Sequence, residues 1–401
     1  MHRQVRASLR WRLGRRAAFA ATAYAFAVAM LGTTLPTPLY SLYRVRFGLS
    51  ELTITVIFAT YAAGVIAALL LVGRLSDEIG RRPVLAPGIA LSALSAVVFL
   101  LAQGLAPLLI GRVLSGLSAG IFTGTATATL VDFAPPERPG RGTLVATGAN
   151  MLGLGCGPLL AGLLAQYASD PLRLPFWVDL ALLIPAALAI VAIPEPIPVR
   201  ATPRLRPQAL HVPADVRPIF IRGALAGFAG FAVLGLFTAV SPAFLGQTLK
   251  ITSPATEGIV VFGVFAASFA GQLAFDAVPE RLAMPLGCGA LIAGMALVAA
   301  GLAVPSLALL VIGGVIAGVG QGLSFRAGLT AVNAAAPPEE RSEVASSFFV
   351  VAYVAISVPV IGVGLLSEAA GLRTAGLVFA GVVAALAAVV LALLARGPKS
   401  G

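Results

Sequence analysis

A chain of 401 residues that is 59% hydrophobic and only 11% charged, with a mean hydropathy of +0.98, cannot be a water-soluble globule: soluble domains run near 25% charged, and a fold of this size leaves too much surface for its few polar residues to cover. The formal net charge of +11 does not mark a nucleic-acid binder, because the arginines fall in short turns between apolar runs rather than along one basic face. The two cysteines, Cys156 and Cys288, lie far apart inside apolar runs, which excludes a disulfide framework or a metal spacing and leaves them as small packing residues.

The first thirty residues, MHRQVRASLRWRLGRRAAFAATAYAFAVAM, join a basic segment to an apolar run as a secretory signal does, and Ala27-Val28-Ala29 would pass as a cleavage site. The run is too long for a signal core and many more follow, so an uncleaved first helix is expected over residues 17–40. Apolar windows and turn signals place further spans at 52–74, 83–103, 106–132, 142–168 and 174–193. A Pro- and Arg-rich interruption, PEPIPVRATPRLRPQALHVPADVRP from Pro194 to Pro218, reads as a linker. Six more spans follow at 218–245, 256–276, 283–303, 306–335, 342–368 and 373–396. Each is close to the ~20 residues that cross a bilayer as a helix. The expected organisation is an all-α polytopic membrane protein: a six-helix bundle within residues 1–193, a cytoplasmic linker over 194–217 and a second six-helix bundle within 218–401.

Lys and Arg orient this array. Twenty of the 27 lie in the tails and the loops after even-numbered spans, against five on the opposite side, Arg44, Arg46, Arg173, Lys250 and Arg373. Arg112 and Arg326 fall inside spans. The positive-inside rule puts the richer side in the cytoplasm, so both termini are expected there, in a bacterial inner membrane. One missed helix would scramble this bias.

The halves repeat. APPER at Ala134 to Arg138 recurs as APPEER at Ala336 to Arg341, each after a glycine-spaced helix. Thr37-Pro38 near the end of span 1 matches Ser241-Pro242 near the end of span 7, and GRLSD after span 2 has a worn counterpart in GQLAFD, Gly271 to Asp276. Ordered matches at offsets near half the chain length indicate a parallel internal duplication, an architecture that places a substrate site between the halves near the bilayer midplane.

The densest charge stands in GRLSDEIGRRP, Gly73 to Pro83, between two of the most apolar runs. A carboxylate at the end of a helix meets the negative end of the helix dipole, so Asp77, framed by Gly73 and Gly80, needs compensation from Arg81 or from the start of a neighbouring helix. The stretch resembles the signature loop between helices 2 and 3 of the major facilitator superfamily, G-x-L-x-D-x-x-G-R-[RK], and matches it at Gly73, Leu75, Asp77, Gly80, Arg81 and Arg82. Span 4 carries GRVLSGLSAG, with Arg112 and Gly116 in the family's R-x-x-x-G pattern. Span 5 carries GLGCGPLLAG, similar to the G-x-x-x-G-P-x-x-x-G pattern of antiporters and efflux pumps.

The resemblance covers essentially the whole chain and implies a fold of two pseudo-symmetric six-helix bundles. It implies that Asp77 faces helix 11 while Arg81 reaches an acid at the end of helix 4, Asp132 or Glu137, in a latch that holds the cytoplasmic side shut. For Arg82 a solvated loop position is the alternative. It also implies a hinge and seal between halves at Gly153, Gly157, Pro158 and Gly162, where small residues allow close helix approach and a proline frees a carbonyl. Ordinary close packing is the overlapping reading.

Ionisable groups inside spans are expensive and mark function, and three are singled out. Arg112 matches the family position tied to proton coupling or substrate binding. Arg326 is expected to neutralise an anionic substrate or to pair with an acid. Asp179, in LPFWVDLALL about five residues into span 6, is expected near the outer interface beside Trp177, capping or snorkelling rather than carrying a proton. Span 1 offers no deep carboxylate; Thr34, Tyr40, Tyr61, Asn150, Gln272, Gln321 and Tyr353 remain as cavity candidates, each also readable as a helix–helix hydrogen bond.

GLSAG, Gly116 to Gly120, fits a nucleophile-elbow pattern but lies mid-helix, and the two histidines, His2 and His211, fall in the tail and the linker. With no nucleotide-binding pattern, ATP is not the expected driver. No enzyme activity, cofactor or metal is expected. The expected function is export of small organic molecules, drug-like compounds or metabolites as in multidrug resistance, by proton antiport in a monomer embedded in a lipid bilayer. An uptake permease, a uniporter, or a sensor or scramblase on the same scaffold are the alternatives.

Overall fold

A computed structural model describes residues 13–138, 140–197 and 208–396. Twelve helices long and apolar enough to cross a membrane run through them: α1 Arg15–Phe47, α2 Glu51–Val72, α3 Arg81–Leu100, α4 Leu105–Phe133, α5 Gly140–Tyr167, α6 Leu174–Ala192, α7 Arg217–Ala239, α8 Pro254–Ala277, α9 Glu280–Ala303, α10 Leu307–Ala335, α11 Arg341–Ala370 and α12 Leu372–Ala395. In hydrocarbon every backbone N–H and C=O must be satisfied within the chain, which leaves the helix as the economical solution for each run. Residues 198–207, the middle of the expected linker, and the basic tail up to residue 12 lie outside the described residues. We call the side holding residues 13 and 396 the terminus side, and the other the far side.

The duplication extends into local structure. Ser50 caps α2 by accepting from the Thr53 N–H at 3.2 Å, and Ser253 caps α8 by accepting from the Thr256 N–H at the same distance. Both first helices of the halves break near their far-side ends. In α1 the ladder gives way at Pro36 and Pro38, and after α7 a short helix, Ser241–Ala243, leads into a wide turn, Phe244–Thr248. A proline supplies no N–H and its ring clashes with the preceding turn, so the two Pro positions end each ladder at equivalent places.

Glycines repeat in register too. A side chain at Gly116 or Gly120 of α4 would strike the Tyr61 or Val65 carbonyl of α2. One at Gly318 or Gly322 of α10 would strike the Val264 or Ser268 carbonyl of α8. Within each half the helices therefore touch backbone to backbone, the packing available where lipid removes the hydrophobic drive between helices. On α9, Gly287, Gly294 and Gly301 recur every seven residues against α10 in the same way. Between halves, α2 packs on α11 and α5 on α8, while α6 and α12 are the least buried of the twelve spans.

Candidate functional site

Between the halves lies a cavity of about 550 Å³. Its walls include Thr143, Thr147 and Asn150 from the first turns of α5, and Thr330 and Asn333 from the last turns of α10. All belong to the terminus-side portions of their helices, so the cavity opens on that side. The far side is closed by backbone contact: Gly162 of α5 meets the Pro254 carbonyl of α8, and Gly364 of α11 meets Leu52 and Thr55 of α2. A π-type bulge in α4, Phe122–Ala126, turns Thr123 and Gly124 onto the cavity wall, a distortion common at functional sites.

Of the seven polar cavity candidates, Tyr61, Asn150, Gln272 and Tyr353 line this space. Tyr61 and Tyr353 meet edge to face across the halves with ring centroids 6.1 Å apart. Gln272 is buried and its amide nitrogen has no hydrogen-bond partner, an orphan donor on the wall. Thr34 and Gln321 are not on the wall. Gln321 is fully buried and accepts from the Ser268 hydroxyl at 2.5 Å. Thr34 donates to the Leu154 carbonyl of α5 at 2.6 Å. That carbonyl lost its helical donor because Pro158, four residues on, carries no N–H, so Pro158 and Thr34 form one device. Tyr40 lines a separate, smaller pocket on the far side.

Arg112 is 1% exposed and lies behind the wall rather than on it. Its guanidinium donates to the Thr33 carbonyl at 2.5 Å, at the α1 break, and to the Phe58 carbonyl of α2 at 3.3 Å. It also stacks on the Tyr61 ring, 4.6 Å from the centroid, and on Phe58 at 5.4 Å. Arg326 does line the cavity. It pairs with Asp276 at 2.7 Å, donates to the Gln272 carbonyl at 2.5 Å and lies over the Phe275 ring. Asp276 is the worn repeat of Asp77, so each half holds its acid with an arginine.

Asp179 departs from expectation. Trp177 is 57% exposed towards lipid, but Asp179, two residues on and facing inward, is 2% exposed. Its carboxyl fits against Gly32 of α1, where a Cβ would come within 2.9 Å of Oδ2, and Oδ1 has no hydrogen-bond partner. An interfacial snorkelling role is therefore wrong: helical phase, not distance from the helix end, sets its burial. A fourth intramembrane ionisable group, Glu257 of α8, is also buried at 2%. Its position four residues after a Ser cap read as a helix start, which hid it.

The charged turn is built differently from the implied latch. Arg81 is buried; its Nε bonds Asp132 at 2.9 Å and its Nη1 bonds Asp77 at 2.5 Å and Ser76 at 2.9 Å. These partners join the ends of α2, α3 and α4 within one half. Asp77 sits in a separate one-turn helix, Leu75–Ile79, and its side chain is 62% exposed. Beside them Arg74 does cross to α11, pairing with Glu343 at 2.8 Å. Gly80 takes φ +101°, and a side chain there would meet the Glu195 carboxylate, which accepts from the backbone N–H groups of Arg81 at 2.7 Å and Arg82 at 3.1 Å. Gly73 lies against Gln208 of the linker.

Glu195, a residue the motif does not contain, thus occupies the start of α3, where a carboxylate satisfies orphan donors and meets the positive end of the dipole. Glu195→Ala is expected to cost about 0.5–2 kcal/mol, the range for a lost cap. Thermal unfolding of the purified chain checks this, and Glu195→Asp retaining only part of the loss would locate the effect in the carboxylate.

The helix 5 residues divide by partner. Gly153 and Gly157 pack on α1, at Ala27, Met30 and Leu31, while Pro158 and Gly162 pack on α8 at Gly258 and Pro254. The same helix therefore joins its own half and seals against the other.

The sequence profile described as Major Facilitator Superfamily matches residues 17–300. Over 83 residues the chain is 42% identical to the multidrug resistance protein MdtL of Escherichia coli O45:K1, a stretch that is 21% of this chain and 21% of that protein. The chain thus matches about a fifth of the length of these curated relatives. It is 31% identical over 185 residues to an uncharacterized MFS-type transporter of Mycobacterium tuberculosis, covering 44% of this chain and 26% of that one. The crystal structure of a bacterial homolog of the human lysosomal transporter Spinster, inward-facing and occupied, superimposes with a TM-score of 0.75 at 17% identity, covering 94% and 96% of the two chains. The human organic anion transporter MFSD10 does so with 0.67 at 18% identity, covering 96% and 100%. Both are likenesses of fold.

Proposed function

From the premise that the chain belongs to the Major Facilitator Superfamily, and is a membrane transporter rather than an enzyme, we propose that it exports small amphipathic organic molecules from the cytoplasm by proton antiport. The observation that carries this reading is the cavity between the halves, open on the terminus side and closed on the far side. Its wall is largely apolar and aromatic, with one ionised side chain, Arg326, and an orphan donor at Gln272. Such a site suits an apolar body with one or two acceptor groups. Twenty of 27 Lys and Arg fall in the tails and the loops after even-numbered spans, which supports placing the terminus side in the cytoplasm and the cavity as the intake. Export is supported by the helix 5 pattern and by the partial likeness to a multidrug resistance protein.

Coupling is assigned to Asp179 and Arg112. On consecutive residues of α1, Gly32 touches the buried acid and Thr33 accepts from the buried guanidinium, both at the helix break. A change in the protonation of Asp179 would be felt at the point where α1 bends. The latch role passes to the Arg74–Glu343 pair, which joins the halves, with the Arg81, Asp77 and Asp132 cluster holding the ends of α2 to α4 in place for it.

The test is transport by the purified chain in liposomes under an imposed pH gradient, following lumenal pH while amphipathic cations, anions and neutral compounds are added. Compound-triggered proton movement that Asp179→Asn abolishes is the expected result. If compounds cross without moving protons, the antiport reading fails and a uniporter replaces it.

A further inference from the structure

The far side holds a second pocket, of about 240 Å³, that shares no lining residue with the central cavity. It is walled by both halves: Tyr40, Ser41 and Arg44 of α1, Glu51 of α2, Gln247 after α7, and Glu257 of α8. We propose that this pocket binds the ammonium group of a small amphipathic amine, held by the Glu257 carboxylate.

The charges decide the class of ligand. Glu51 is already engaged, with Arg44 at 3.3 Å and with the Gln247 amide across the halves, so that acid and that base cancel. Glu257 has the Ser41 hydroxyl at 3.5 Å and, among the described residues, no Lys or Arg within ion-pair distance. Neighbouring α5 brings no ionised side chain between Gly142 and Gln166. The pocket is left with one carboxyl group that faces no cation, and its ionised form is costly there unless paired.

A second observation points the same way. Tyr40 lines the same pocket and is 2% exposed, and its hydroxyl has no hydrogen-bond partner. Orphaned buried polar groups in a native structure call for a missing partner. A primary ammonium carries three donors and no acceptor, which matches a wall that offers the Glu257 carboxyl group and the Ser41 hydroxyl oxygen. Ile54, Ala239 and Pro242 supply the apolar remainder. At ~30 Å³ per water in the liquid, the volume corresponds to about eight waters, enough for an amine of six to eight heavy atoms. An occupant touching both halves binds best while they are together, so it would favour the conformer closed on the far side.

The test uses the full chain in lipid nanodiscs, with n-hexylammonium as probe and hexanol and hexanoate as neutral and anionic counterparts, measured by titration calorimetry against empty discs. Saturable hexylammonium binding is expected, weakened at least tenfold by Glu257→Gln, retained in Glu257→Asp and weakened severalfold by Tyr40→Phe. Hexanol should bind at least tenfold more weakly and hexanoate not at all. Arg326→Ala, in the central cavity, should leave the amine's affinity unchanged. Equal binding in Glu257→Gln overturns the proposal, as does equal binding of hexanol, and loss in Arg326→Ala alone would move the amine to the central cavity. If Glu257→Gln fails to fold, Tyr40→Phe and the hexanol comparison decide. The readout is equilibrium binding, so it stands or falls separately from the transport reading.

Discussion

Replacing Arg112 by alanine is expected to destabilise the folded chain by about 3–5 kcal/mol, at the upper end for buried truncations, and to abolish transport. The guanidinium joins three helices. From α4 it donates to the Thr33 carbonyl of α1 and the Phe58 carbonyl of α2, and its face lies on the Tyr61 ring. Truncation leaves the Thr33 carbonyl at the α1 break without its donor, worth ~1–3 kcal/mol, and removes a desolvated cation–π contact worth about 2 kcal/mol. Together these give the expected range; the Phe58 carbonyl keeps its helical donor and loses only a second one. Lysine keeps the charge but not the planar fork, and one ammonium cannot serve both carbonyls and the ring in the same geometry. Arg112→Lys should therefore recover charge without recovering transport.

The measurements are thermal unfolding in detergent and transport in liposomes, for both variants. Because Arg112 stands behind the cavity wall, it acts through Tyr61, which is on the wall and meets Tyr353 of the other half. A folded Arg112→Lys protein with full transport would show that the fork is not needed there, and the positioning role would fall.

The spans, their number and the duplication were legible in the sequence because hydrocarbon imposes a length and a composition on every helix, and because Ser-Pro and Thr-Pro breaks leave a visible repeat. The Arg81–Asp132 contact was legible through the family pattern, which narrowed the acid to two residues; Asp132 is the one on α4 itself. Depth was not legible. Asp179 and Trp177 are neighbours in sequence, and the helical phase that buries one and exposes the other depends on where α1 and α3 lie. Glu257 was masked by its place beside a cap, and Glu195 by standing in a proline-rich stretch that read as linker. Both acids take meaning from a partner supplied by another element: the start of α3 for Glu195, and the α1 break for Glu257. The cross-half pair also escaped, because Arg74 and Glu343 are 269 residues apart and neither occupies a distinctive motif position.

A valine at Gly258 is expected to shift the chain towards a conformer open on the far side. In the present conformer a Cβ at Gly258 would run into the Pro158 carbonyl and lie 3.1 Å from the Leu159 Cα, and the facing Gly162 is equally crowded by Pro254. These are backbone atoms, so a rotamer change cannot relieve the clash. Overpacking of this kind costs about 1–3 kcal/mol. If the seam parts when the far side opens, that conformer escapes the penalty and its population rises about 5–150-fold relative to the closed one.

Spin labels at Val45 and Val304, both exposed near far-side ends of different halves, should move apart. Labels at Glu137 and Glu339 on the terminus side should move together. Gly364→Val, on the α2–α11 seam, should act in the same direction because it meets Leu52 and Thr55. Gly263→Val provides the contrast: it is on the same helix as Gly258, with nothing within 4 Å of its Cβ, and should leave both distances unchanged. A folded Gly258→Val protein with wild-type distances would mean that the α5–α8 seam yields without the halves moving. The glycines would then be packing residues and the seal would lie elsewhere.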